Sequence, residues 1–342
     1  MAAVHRANTL SRRQVVQGAG VAALGLLAGC ERLPWQPAPP ARVSRIGWLS
    51  DASAASEASY RAAFQDGLRE LGYVEGQNVV VESRWVESTT ALPLASFAAE
   101  LIRLPVDVIV AINPISTQAA SRATSSIPIV MATGGDPVRL GLAASLARPG
   151  GNVTGLSTLS PALSGKRLEL LRDAVPGITR VGIVADSTNP SGADQWGETQ
   201  IAAQTLGLQV FPLELRESDD LEGLLTSAGR ERMDALCTLA VNFGTEGRGR
   251  LIEFAAENKL PAMYFRRLFV DEGGLMAYGP NLAAMVRRSA IHVDKLLRGA
   301  KPAELPIDQV MTFDFVINLQ AARALGLTVP QHVLLQATEI IQ

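Results

Sequence analysis

Ile46-Gly47-Trp48-Leu49, with Tyr60, Phe64, Leu68 and Leu71 behind it, decides the fold. The first four residues are a short apolar run of strand length. The next four recur at spacings of four, four and three, which marks one face of a helix over residues 57–71, and Leu71-Gly72-Tyr73 supplies its stop. The alternation continues outward. Val79–Trp85 reads as a second strand, a helix runs through Phe97 to Ile102, Asp107–Ala111 is a third strand and Ile127–Met131 a fourth. The rhythm then restarts. Val181–Val184, Leu208–Leu215, Ala235–Val241 and Leu260–Tyr264 read as strands, separated by helical stretches over 194–206, 219–232 and 245–259.

Two such runs predict an α/β protein of two doubly wound, Rossmann-like lobes, each a parallel sheet covered by helices. The repeat is one of architecture; no residue pattern relates the halves. Arg148-Pro149-Gly150-Gly151-Asn152-Val153-Thr154-Gly155 is the clearest punctuation and marks the join. A second seam runs from Gly273 to Pro280, followed by a helix over Leu282–Leu297 and a segment from Leu305 to Leu319. This places residues 43–155 plus about 280–312 in an N-terminal lobe, and residues 156–279 plus about 313–342 in a C-terminal one. Three linking strands would form a hinge that bends but resists sliding.

Composition removes several classes of function. The chain has 342 residues, 47% hydrophobic and 19% charged, with 31 Lys and Arg against 33 Asp and Glu. That is a globular composition with material for two domains. With no basic excess, a nucleic-acid partner is not expected. Three His (His5, His292, His332) and two Cys (Cys30, Cys237) are too few for a zinc site, an iron–sulfur cluster or a disulfide framework. The chain has no G-x-x-x-x-G-K-[ST] phosphate loop. The one G-x-G-x-x-A match, Gly18 to Ala23, falls in a segment read below as removed, so no cofactor is expected.

Residues 1–29 read as an export signal. Arg6, Arg12 and Arg13 precede an apolar stretch from Val21 to Ala28, and no acid occurs before Glu31. The stretch is shorter than the roughly 20 residues of a membrane span. Ser11-Arg12-Arg13 is similar to the twin-arginine motif, while Val15, Val16 and Gln17 depart from it, so twin-arginine and Sec export both fit. Leu27-Ala28-Gly29-Cys30 resembles a bacterial lipobox, which implies cleavage before Cys30 and a lipid on its sulfur. From Cys30 onward 28 basic residues face 33 acidic ones, a net charge of about −5. Pro34, Pro37, Pro39 and Pro40 make residues 31–42 an extended spacer between anchor and body.

In open α/β sheets ligands bind beyond the carboxyl ends of the strands. Ser50 and Asp51 follow the first strand, Asn113, Ser116 and Thr117 the third, and Gly134 and Asp136 the fourth. Asn189 and Asn242 hold the matching places in the second half. Hydroxyls, amides and carboxylates beside helix N-termini suit a small polar solute: helix ends favour a carboxylate, and Asp51 or Asp136 suits an ammonium group. The same residue types cap helices, so the set rather than any one member points to a cleft. Tyr278 is a candidate for stacking on a ligand, as are Trp85, Trp196, Phe243 and Tyr264. No G-x-S-x-G elbow occurs, His292 and His332 stand away from strand ends, and Cys237 lies within a strand, so no enzyme is predicted.

The body resembles the bacterial ABC-transporter substrate-binding proteins that include aromatic amino-acid binders. The resemblance rests on Val293-Asp294-Lys295-Leu296-Leu297-Arg298-Gly299-Ala300-Lys301-Pro302 and Phe313-Asp314-Phe315-Val316-Ile317-Asn318-Leu319, then Ala324-Leu325-Gly326-Leu327-Thr328-Val329-Pro330. It is extended by Phe64-Gln65-Asp66-Gly67-Leu68, Asp136-Pro137-Val138 and the join at 148–155, and covers about residues 43–342. It implies a periplasmic-binding-protein type I fold with a cleft between the lobes. It further implies a periplasmic, lipid-anchored protein that delivers a small solute, an amino acid among the candidates, to a permease driven by a cytoplasmic ATPase. The family's cleft positions map onto Asn113, Thr117, Asp136, Asn189 and Asn242. The resemblance names no ligand, and it leaves open a role in which the closed form signals to a receptor.

Overall fold

The computed structural model describes residues 43–85, 94–158, 161–186, 192–215, 221–241, 245–309 and 312–342. The expected signal, Cys30 and the spacer lie outside the described residues, as do Asn189, Asn242 and Phe243.

The first lobe is built from β1 (Ser44–Leu49), α1 (Ala58–Glu70), β2 (Val79–Arg84), α2 (Leu94–Arg103), β3 (Val108–Ala111), α3 (Pro114–Ala123), β4 (Ile129–Gly134) and β5 (Val153–Ser157). Its sheet runs β2-β1-β3-β4-β5, all parallel. A parallel sheet must be covered on both faces, and the side-chain alternation does this. Ile46, Trp48, Val108 and Val110 face Phe64 and Leu68 of α1. Leu49, Ile109, Ala111 and Met131 face Ala98 and Leu101 of α2.

The second lobe comprises α4 (Pro161–Ala174), β6 (Arg180–Asp186), α5 (Gly192–Leu206), β7 (Gln209–Leu215), α6 (Leu221–Ala228), β8 (Ala235–Thr238), α7 (Thr245–Glu257), β9 (Ala262–Tyr264), α8 (Leu268–Asp271) and β10 (Met276–Pro280). The order β7-β6-β8-β9-β10 repeats the plan of the first sheet, again parallel. Val181, Ile183 and Cys237 pack against Leu168 and Leu171 of α4, while Val184, Leu236 and Tyr264 pack against Leu224 of α6 and Leu251 of α7.

The chain then crosses back. In α9 (Leu282–Leu297), Val286, Ala290 and Val293 join the first lobe's core. Contact with α1 is so close that a Cβ on Gly67 would stand 2.3 Å from Arg287 O. β11 (Asp308–Gln309) pairs with β5, and β12 (Phe313–Asn318) returns to the second sheet. α10 (Leu319–Ala324), α11 (Gln331–Leu334) and β13 (Glu339–Ile341) finish that lobe. The chain therefore passes between the sheets three times: from β5 to α4, from β10 to α9, and from β11 to β12. Two passages are tied together: Asn281 N donates to Thr312 O at 3.1 Å, and Asn281 Nδ2 to Asp314 Oδ1 at 3.0 Å. Among the described residues no helix is long and apolar enough to cross a membrane.

Three sequence expectations are corrected. The sheets are not wholly parallel, because β12 is antiparallel to β10, pairing Met276 with Ile317 and Pro280 with Phe313. It re-enters the second lobe from the first, beside the end of β10 where the chain left. The fourth strand extends past Met131 to Gly134, with an irregularity between those two residues, so Thr133 and Gly134 lie inside it rather than after it. Val153 to Gly155, read as part of a join, belongs to β5.

Gly155 shows why a glycine stands in a strand: its φ is 126°, and a Cβ there would lie 2.2 Å from Met131 O. Gly155→Ala is predicted to destabilise the protein by at least about 2 kcal/mol, read as a lower urea midpoint. Gly197→Ala, in α5 with nothing within 4 Å of the new Cβ, should be neutral or stabilising.

Candidate functional site

In the first sheet the order reverses between β1 and β3: the chain builds outward to β2 on one side and to β4 on the other. The crevice beyond the carboxyl ends of that central pair is where a doubly wound sheet takes its ligand. Ser50 and Asp51 end one side and Asn113 the other.

Asn113 is fixed by helix capping. Its Oδ1 accepts the Ser116 N–H at 3.0 Å, Ser116 Oγ accepts the Asn113 N–H at 3.0 Å, and Pro114 begins the helix. Thr117 Oγ1 donates to Asn113 O at 2.7 Å. Ser116 and Thr117 are fully buried, with their hydroxyls engaged in this cap. Only the Asn113 amide NH2 remains, and it donates to Asp51 Oδ1. Ser50 is buried as well, its Oγ accepting Ala52 N at 3.1 Å. Ser50, Asp51, Asn113, Ser116 and Thr117 therefore form one hydrogen-bonded rim, with Asp51 and Asn113 its half-buried members.

The other candidates are dispersed. Asp136 follows β4, half-buried, and its Oδ1 accepts from Val138 N at 3.0 Å and Arg139 N at 3.2 Å, closing a turn. Gly134 O accepts from Thr158 N at 2.6 Å and Thr158 Oγ1 at 2.7 Å, tying β4 to the first passage between lobes. Tyr278 is in the second sheet, half-buried, with its ring 5.9 Å from Phe313 and 6.2 Å from Phe315. Tyr264 stacks on Phe269 within the core at 4.7 Å, and Trp85 lies 6.2 Å from Trp48. Burial pushes the Cys237 thiol up to about 12, and His292 is buried with Nε2 3.2 Å from Pro306 O, so both are structural groups.

The sequence reading passed over Glu57. It holds the N-cap position of α1, makes no capping bond and is 3% exposed. Burial raises its carboxyl to about 7 and the nearby Asp51 adds to the rise, while Ser50, Trp48 and Arg266 pull the other way. Ser50 and Trp48 act on the carboxyl through hydrogen bonding, yet among the described residues neither Glu57 Oε2 nor the buried Trp48 indole N–H has a hydrogen bond of good geometry. Arg266 follows β9 in the second lobe, and its charge acts on both Glu57 and Tyr60; that of Arg248, also in the second lobe, acts on Tyr60. The two lobes thus face each other at this acidic corner. The signal was present in the sequence. Glu57 sits three residues before Tyr60, at the head of the Tyr60, Phe64, Leu68 stripe, where an acid has no packing role. Arg167 interrupts the buried Leu163, Leu170, Ala174 stripe of α4 in the same manner.

The family model described as ABC transporter substrate binding protein matches residues 51–341. Over 268 residues the chain is 25% identical to the "Tyrosine-binding protein" of Clostridioides difficile (strain R20291), covering 78% of this chain and 76% of that one. It is similar to the solved ABC domain in complex with L-Trp from Streptococcus pneumonia, with a TM-score of 0.79, 28% identity, and coverage of 87% of this chain and 99% of that one. A conserved domain protein from Vibrio cholerae matches with a TM-score of 0.79 and 26% identity, covering 87% of this chain and 100% of that one.

The Glu57 carboxyl gives the free protein a pH signature. The folded state holds its proton more tightly than the unfolded chain. Its contribution is therefore full below the unfolded value near 4.5 and is lost as pH rises through about 7. Glu57→Gln is predicted to raise stability at pH 8 by up to about 3 kcal/mol, with the gain vanishing near pH 4. Urea unfolding of both proteins across that range reads it.

Proposed function

The chain belongs to the ABC transporter substrate-binding protein family, and on that footing we propose that it takes an amino acid in the crevice between its lobes and hands it to a membrane permease. The family is one of solute-binding proteins of import systems acting outside the cytoplasm, and the solute is the part that needs assigning. The observation that carries the amino-acid reading is the acidic corner itself. Glu57 is buried with an unpartnered oxygen beside Asp51, whose own Oδ1 is held by Asn113. An ammonium group seated there adds a close counter-charge and well-aligned donors to the pull of Arg266, Ser50 and Trp48, and restores Glu57 to its ionised form. The L-Trp complex of one relative and the tyrosine-binding designation of another support an aromatic amino acid.

The working cycle follows from the three passages between the lobes. A solute that touches one lobe alone binds weakly, whereas one that bridges both favours the closed form by the difference in its affinity for the two states. The closed form is what docks on the permease, which the cytoplasmic ATPase drives. A lipid on Cys30 and the Pro-rich spacer keep the body at the periplasmic face of a membrane.

A melting-temperature screen against amino acids, sugars and organic acids tests the reading. A solute present at 100 times its Kd adds about 2.7 kcal/mol. We expect a rise with an aromatic amino acid, and Asp51→Asn should weaken its binding roughly tenfold or more. A response confined to sugars, or an unchanged Kd in Asp51→Asn, contradicts it.

A further inference from the structure

Arg167 is a cation buried inside the second lobe without a counter-charge among the described residues. It is 2% exposed on α4, within the apolar stripe that packs this helix onto its sheet. Its Nε donates to Tyr278 O at 2.7 Å, whereas Nη1 is buried and has no hydrogen-bond partner among the described residues. The groups that bear on its charge are Cys237 and Tyr278; no carboxylate is among them, and burial holds its pKa down to about 10. One turn earlier on the same helix, Ser164 is fully buried and its hydroxyl also lacks a partner among the described residues. A leucine at position 167 would complete the stripe at no electrostatic cost, and an unpaired buried charge is strongly unfavourable. The hydrogen bond that engages this arginine is the one to Tyr278 O, and the apolar stripe does not call for a charge here.

Its position says what does. A Cβ built on Gly279 would lie 2.2 Å from Phe265 O and 4.0 Å from Arg167 Nη2, so the guanidinium sits beside the carboxyl ends of β9 and β10. The residue after Phe265 is Arg266, whose charge reaches Glu57 and Tyr60 in the first lobe. Arg167 therefore lies at the end of the second sheet from which Arg266 reaches the acidic corner, near the passage that leaves β10 for α9.

We propose that Arg167, assisted by Ser164, is the subsite for the solute's carboxylate. This rests on the amino-acid reading and sharpens it: the solute must carry a free carboxylate as well as an ammonium group. The guanidinium presents a planar fork of N–H donors suited to a carboxylate, Ser164 Oγ offers one more, and the positive end of α4 lies a turn away. With Nε committed to Tyr278 O, the open donors are on the Nη side. One end of the solute is held by each lobe, so neither lobe alone satisfies it.

The test titrates the full chain with L-tyrosine and L-tryptophan, with their primary amides, which keep the ammonium and lose the carboxylate, and with 3-(4-hydroxyphenyl)propionate and indole-3-propionate, which do the reverse. The wild-type protein should prefer the acid over the amide by at least about 30-fold. Arg167→Gln should lose most of its affinity for the acid while holding the amide as before, and Ser164→Ala should reduce the preference part of the way. A wild-type protein that binds amide and acid alike overturns the proposal, as does a folded Arg167→Gln that keeps the preference. If Arg167→Gln does not fold, the wild-type ratio and the Ser164→Ala ratio decide. Propionates that bind as tightly as the amino acids would overturn the ammonium corner and leave the carboxylate subsite standing.

Discussion

A parallel sheet buried on both faces leaves polar chemistry very little room. Its backbone groups are taken up by the ladders between strands, and both rows of side chains, Ile46 and Trp48 on one side and Leu49 on the other, go into apolar cores. The places left are the strand ends and the helix starts that follow them. In the first lobe that rule gathers Ser50, Asp51 and Asn113 at the point where the strand order reverses. The second sheet is built to the same order, and the chain passes between the sheets three times. The site is thus a consequence of how the sheets must be covered.

Within that frame two side chains break the packing rule. Glu57 heads the apolar stripe of α1, and Arg167 interrupts that of α4. They carry opposite charges, sit in opposite lobes, and each has a buried polar atom without a partner. Each alone lowers stability, and the rise of the Glu57 carboxyl to about 7 is the direct expression of that cost. A third body that meets both charges resolves both costs at once. A zwitterion that bridges the cleft does so only when the lobes are together, which couples binding to closure. Arg266, acting on Glu57 from across the gap, neutralises part of the acidic corner meanwhile.

Much of the fold was legible from periodicity. The Tyr60, Phe64, Leu68 spacing located α1, and Leu282–Leu297 was read to the residue as α9. What failed, failed for tertiary reasons. Val153–Gly155 looks like the end of glycine-rich punctuation because Gly155 must lie against Met131, a demand set by the neighbouring strand. The antiparallel run of β12 depends on where the chain re-enters the second lobe, which no local pattern records. Residue type after a strand picked out Asp51 and Asn113, which the structure joins in one hydrogen-bonded rim, yet could not show which groups a cap takes up: Ser116 and Thr117 are engaged in the α3 cap, and Asp136 Oδ1 closes a turn. Glu57 and Arg167, on which the proposed site rests, follow no strand directly: one holds the N-cap position of α1 and the other lies on the buried face of α4. A charge within an apolar stripe was the signal to follow.

In the proposed closed form an ammonium group meets the Glu57 carboxyl. The most direct measurement is the proton balance of binding: calorimetric titration with an aromatic amino acid near pH 6.5, in buffers of different ionisation enthalpy. An ammonium arriving at a carboxyl that titrates near 7 lowers its pKa, so the protein should release a sizeable fraction of a proton, and Glu57→Gln should release none. Equal observed enthalpies in all buffers for the wild-type protein would contradict the account.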